Sequence, residues 1–218
     1  MADVFPPPPP PPLPWEDPSY PRLEALYETT KLFLLRPREA ASRMSQTGPL
    51  GKPILFAVLL GWVAIIATQV YQWAFRETLA SLLPALYHRQ ELAFSKLATV
   101  ATVVFAPVWI LVGLALVTLV VHLFLLLFGG ASGGVETTLR TLAYTHATNV
   151  FQVIPLLGGL VGLLWWLVVS IVALAAAHRT SVGKAAAAVL TPVGLCCLCV
   201  LAVALFMGAA LLAALRGM

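Results

Sequence analysis

The chain has 218 residues, of which 60% are apolar and 10% charged, with a mean hydropathy of +0.92. Soluble domains carry about 25% charged residues, so this chain cannot cover a water-facing surface and reads as an integral membrane protein. Its net charge of +4 is small and its basic residues are scattered, which leaves nucleic-acid binding without a basis and makes anionic lipid headgroups the natural partner.

The N-terminus, "MADVFPPPPPPPLPWEDP", lacks the basic start and short apolar run of a cleavable signal peptide, and it is expected to stay on the cytoplasmic side. Pro6 to Pro12, Pro14 and Pro18 favour an extended polyproline II backbone with few amide donors, so residues 1–19 read as a disordered proline-rich tail or spacer. A ligand for an aromatic-lined groove is the alternative.

Next, Leu23, Leu26, Tyr27, Phe33 and Leu34 recur at near-helical spacing, with Glu24, Glu28 and Lys31 off that face and Pro37 beyond. This predicts an amphipathic helix of about four turns. It is too short and too charged to span, and Arg36, Arg38 and Arg43 follow it, so residues 20–52 are expected to lie in the cytoplasmic headgroup layer. Packing on the end of a helical bundle is the other reading.

Three stretches are clear spans. Pro53 to about Phe75 carries Tyr71 and Trp73 at one end as an interfacial belt. Leu97 to Phe128 would reach about 48 Å against a hydrocarbon core of about 30 Å, so it must tilt, kink near Pro107 or protrude. Leu156 to Ala177 is the third, and Ala185 to Leu215 is a further long apolar stretch without a central turn. In the third, Gly158 and Gly162 form a small-xxx-small pair at which helices can approach closely.

The remaining segment, Val135 to Ile154, is the length of one crossing, follows "GGASGG" and ends at Pro155. Its polar residues fall at three-to-four spacing, and Arg140, Tyr144, His146, Thr148 and Gln152 define a polar stripe that must face other helices or water. Arg140, near the start, can snorkel to the headgroups. If this segment spans, Arg22, Lys31, Arg36, Arg38, Arg43, Lys52, Arg140, Arg179 and Lys184 lie inside and only Arg76, Arg89, Lys96 and Arg216 outside. If it does not, the asymmetry weakens, so the positive-inside rule prefers five spans: about 53–75, 97–128, 135–154, 156–177 and 185–215.

Chemistry-bearing motifs are missing. Glu136 is the only acid after Glu91, so no carboxylate pair is available to the later helices. His88, His122, His146 and His178 are scattered, and no metal or cofactor site is expected. His122 reads as a hydrogen-bonded packing residue, and Cys196, Cys197 and Cys199 as small buried hydrophobes.

The run from Glu136 to Leu190 resembles the Yip domain family, the Ypt/Rab-interacting membrane proteins and their bacterial relatives. The likeness rests on a glycine-rich loop before "TLRTLAY", a proline and then glycines opening the next helix, and the basic turn "HRTSVGKA". Upstream, "PWEDPS", "RPREAASRM" and "TGPLGKPILFAV" look like the bacterial branch, and the resemblance covers roughly residues 15–214. It implies an all-α, polytopic bundle of five transmembrane helices with an N-terminal amphipathic helix and a cytoplasmic N-terminus. In the eukaryotic branch it also implies trafficking roles and contact with Rab-type GTPases.

The function expected is therefore a non-enzymatic membrane scaffold or adaptor in a bacterial cytoplasmic membrane, serving membrane organisation or trafficking-like processes. Its partners would be the lipid bilayer and a protein at the cytoplasmic face; homo-oligomers are left open. A transporter or channel subunit using the polar stripe is the alternative.

Overall fold

The computed structural model describes residues 11–82 and 89–216, and among them there is helix and no strand. The proline run from Pro6 to Pro10 and His88 lie outside the described residues. The helices are α1 (Arg22–Leu35), α2 (Pro37–Arg43), α3 (Gly51–Leu82), α4 (Arg89–Leu127), α5 (Gly134–Thr145), α6 (Gly158–Ala177) and α7 (Val182–Arg216), with a 3₁₀ helix, His146–Val153, between α5 and α6. Four of them, α3, α4, α6 and α7, contain stretches long and apolar enough to cross a membrane: Gly51–Thr78, Lys96–Leu127, Gly158–Ala177 and Val182–Gly208. The chain is a multi-pass membrane protein.

Hydrogen bonds assign the ends of the helices to two levels. At one, the basic end, Gly133 N–H donates to His178 Nδ1 at 3.0 Å, and Lys184 Nζ donates to the Gly129 carbonyl at 3.0 Å. The end of α4, the starts of α5 and α7 and the end of α6 therefore lie together. Arg140 joins them to the approach to α3 by donating to the Gly48 carbonyl. At the far end the Tyr71 hydroxyl, twenty residues along α3, donates to the Gln152 carbonyl at 3.1 Å. Gln152 closes the 3₁₀ helix just before α6 begins.

The chain must thus travel from the basic end, where α4 stops, to the far end, where α6 starts, and α5 with the 3₁₀ helix makes that journey. Twelve α residues and eight 3₁₀ residues cover about 34 Å. This corrects the single α-helix expected over Val135–Ile154: regular α structure ends at Thr145. The cause is local. Thr145 Oγ1 donates to Leu142 O at 2.7 Å and Thr148 Oγ1 to Thr145 O at 2.9 Å, capturing carbonyls three residues back, while the backbone N–H of His146 is shared between Ala143 and Tyr144 carbonyls.

Two buried clusters surround this central strut. One joins Leu13, Trp15, Phe33, Phe56 and Tyr144 to small residues of α2 and α6; the other joins Ala57, Leu125, Leu142, Leu174 and Val189. Both draw mainly on the basic half of the bundle. α4, with Pro107 inside it, is continuous over 39 residues and about 58 Å long, and it protrudes at the far end, where Lys96 pairs with Glu77 of α3 at 3.3 Å. The cysteines, expected to be buried, are all exposed on α7. Beyond Val189 none of the described side chains of this helix joins either cluster, and their apolar surface suits lipid.

Candidate interaction face

Residues 11–19, expected to belong to a disordered tail, are folded from Leu13 onward, which corrects that boundary. Leu13 is fully buried and Trp15 is 8% exposed. A tight turn forms as the Glu16 and Asp17 amides donate to Leu13 O at 2.9 and 3.0 Å. Trp15 N donates to Thr29 Oγ1 at 2.9 Å and its indole N–H to Lys52 O at 2.7 Å, so one residue clamps α1 to the start of α3. Asp17 caps the turn: its carboxyl is held below the ordinary range by the hydroxyl and amide of Ser19.

Glu16 carries the clasp into the bundle. One carboxylate oxygen accepts from the Tyr144 hydroxyl at 2.8 Å and the other from the Ser45 amide at 2.8 Å, while Lys52 Nζ donates to its carbonyl at 2.7 Å. The Tyr144 ring, fully buried, stacks on Phe33 of α1 at 5.3 Å and meets Phe56 edge-on at 5.1 Å. Arg140, one turn earlier, is 1% exposed and binds Glu136 through Nε at 3.0 Å and a terminal nitrogen at 2.7 Å. It does not snorkel as expected; Glu136 and the Gly48 carbonyl neutralise it inside the protein.

α1 packs through Ala25, Thr29, Thr30 and Phe33, leaving Leu23 and Tyr27 exposed. The apolar face expected from the sequence is therefore split: Phe33 faces the bundle, while Leu23 and Tyr27 face outward. Trp165 of α6 donates to Leu34 O at 3.1 Å, tying the end of α1 to the side of the bundle.

The polar stripe divides at the change of helix type. Arg140 and Tyr144 point to the clasp. In a 3₁₀ helix residues three apart eclipse, so His146, Asn149 and Gln152 line up in a different row. They border a cavity of about 320 Å³ with Thr68, Gln69 and Thr102 from α3 and α4. Thr148 joins neither group; it is buried with its hydroxyl on its own helix. Gly158 and Gly162 are buried against the 3₁₀ helix. A Cβ at Gly158 would overlap the Phe151 carbonyl and come within 3.1 Å of Gln152 Cα, whereas one at Gly162 would meet nothing closer than 3.5 Å.

A feature that separation along the chain conceals is a histidine pair. His122 Nδ1 and His178 Nε2 each lie 2.9 Å from Thr138 Oγ1. The Gly133 amide donates to His178 Nδ1, so the neutral ring carries its proton on Nε2 and gives it to Thr138, whose own proton is shared between His122 Nδ1 and the Gly134 carbonyl at 3.4 Å. Burial, with His122 nearby, pushes His178 down to about 4. Among the described residues no three of His, Cys, Asp and Glu gather as a metal site.

These features, a polar strut threaded through apolar helices and a basic end closed by the N-terminal segment, coincide with a family match: the Yip1 domain profile matches residues 31–204. The chain belongs to the Yip1 domain family. No curated protein and no solved structure matches it. The Yip1 match begins inside α1 and ends within α7, so the Trp15–Glu16 clasp lies outside it.

Proposed function

We propose that this Yip1-domain chain is a non-enzymatic membrane scaffold whose α5–3₁₀ strut is a fifth crossing, with residues 53–215 as its transmembrane domain. Both chain termini of α6 support the crossing, since α6 returns to the level where α4 ended. The basic end gathers Arg36, Arg38, Arg43, Lys52, Arg140, Arg179 and Lys184, which supports a cytoplasmic position for it and for the N-terminal segment. The observation that carries the scaffold reading is the use of the strut's strongest polar groups. Arg140 and Tyr144 hold Glu136, Gly48 and Glu16, which supports a structural role for them in building a face.

That face, formed by the clasp, α2 and the 129–134 and 178–182 turns, is where a protein partner would dock. A photo-crosslinking residue at Ser19 or Val182, both exposed, should give a discrete protein adduct in native membranes. The adduct should be lost in Trp15→Ala and absent when the probe is at Leu156. Equal adducts from Leu156, or none from the basic end, would remove the adaptor reading.

A further inference from the structure

A cavity of about 860 Å³ lies between α2 and the end of α6. It is lined by Arg36 and Arg38 from the start of α2 and by Val172, Ala176 and Arg179 from the end of α6 and its cap. Its one carboxylate, Glu39, is already bound by Arg43 and by Arg36 at 3.4 Å. No carboxylate among the described residues pairs with Arg38 or Arg179. The cleft therefore offers uncompensated guanidinium groups beside an aliphatic wall.

Arg179 holds its place against a conformational cost. Thr180 N donates to Ala175 O at 2.9 Å and Arg179 N to Ala176 O at 3.2 Å, the paired bonds of a Schellman cap, with Arg179 in the left-handed position at φ 49°. α4 ends at the same level in the same motif: Gly130 N donates to Leu125 O and Gly129 N to Leu126 O, and there the left-handed residue is Gly129 at φ 66°. Glycine takes this conformation freely, whereas a residue with a side chain is strained in it. Such strain persists where the side chain is needed, and here it sets a guanidinium at the cavity rim.

We infer that this cleft binds an anionic phospholipid, its phosphate held by Arg38 and Arg179 and the start of its acyl chain lying on Val172 and Ala176. Guanidinium forks match phosphate oxygens, the volume falls within the roughly 300–1,000 Å³ of small-molecule sites, and an inorganic anion would have no use for the α6 wall. The inference rests on the proposed position of the basic end in a headgroup layer. Lipid retention is measured on purified protein in detergent, so its failure is separable from that of the topology, which labelling in membranes tests independently.

The full chain, purified in detergent, would be supplied with phosphatidylglycerol or phosphatidylcholine of identical acyl chains and followed by native mass spectrometry. Wild type should retain phosphatidylglycerol preferentially. Arg38→Gln with Arg179→Gly should weaken retention about tenfold or more, the scale of one lost charge-assisted hydrogen bond, while Arg76→Gln at the far end keeps it. Arg179→Gly alone should unfold no sooner than wild type without lipid, since glycine relieves the cap, so lost retention is not misfolding. Undiminished retention by the double variant, or equal retention of phosphatidylcholine, would overturn the site. Inorganic phosphate raising thermal stability as far as the lipid does would overturn its assignment to a lipid.

Discussion

Gly158 and Gly162 carry the same residue on the same face of α6, yet the same substitution should act differently at the two. At Gly158 an added methyl meets only backbone: it overlaps the Phe151 carbonyl and lies 3.0 Å from Phe151 C and 3.1 Å from Gln152 Cα. None of these can rotate away, so the 3₁₀ helix must shift, and overpacking of this kind costs about 1–3 kcal/mol. At Gly162 the nearest atoms are Thr148 O at 3.5 Å, Phe151 Cβ at 3.6 Å and Gln152 Nε2 at 3.7 Å, ordinary contact distances. There the helix-propensity gain of alanine, roughly 0.5–1 kcal/mol, has nothing to oppose it. Thermal unfolding in detergent, followed by loss of the monodisperse peak on size exclusion, should place Gly158→Ala several degrees below wild type and Gly162→Ala at or above it. Equal losses at both positions, or a stable Gly158→Ala, would refute the close packing of α6 on the 3₁₀ helix.

Trp15→Ala removes a buried ring and its bond to Lys52 O, a change worth about 3–5 kcal/mol in a packed core; it should release the clasp, seen as faster tryptic cleavage at Arg22 with the rest of the bundle intact. Tyr144→Phe keeps the aromatic stack and loses only the hydroxyl on Glu16, so a stability loss of about 1 kcal/mol is expected by the same unfolding assay. For His178 the folded pKa of about 4 lies below the unfolded value of about 6.5. The unfolded chain therefore takes up the proton first, and stability is lost as pH falls below about 6.5, by about 2 kcal/mol at pH 5. His178→Asn should flatten that dependence, and an unchanged pH profile would contradict it.

The long apolar helices were legible because twenty or more lipid-compatible residues in a row have no other stable solution. The end of α5 at Thr145 was not, since "HATNVFQV" contains neither proline nor glycine. The break comes from threonine hydroxyls taking carbonyls three residues back, a choice made in the folded context, where Trp166 Nε1 also donates to Thr145 Oγ1 at 3.0 Å. That break moved His146 and Gln152 off the expected stripe and into a row with Asn149. Leu13 and Trp15 were hidden by the prolines around them, whose extended preference gives no sign of where the chain docks. His122 and His178 meet through topology, which residue spacing does not encode. Arg140 was visible as an expensive charge, but its solution lay in Gly48, 92 residues upstream.

A strut that crosses the membrane has its two ends in opposite compartments. Single cysteines at Val135 and Leu156, which are 47% and 91% exposed, would be introduced with Cys196, Cys197 and Cys199 replaced, and intact cells treated with a membrane-impermeant thiol reagent. Leu156→Cys is expected to label from outside and Val135→Cys only after the cells are opened. Labelling of both from the same side would contradict the fifth crossing.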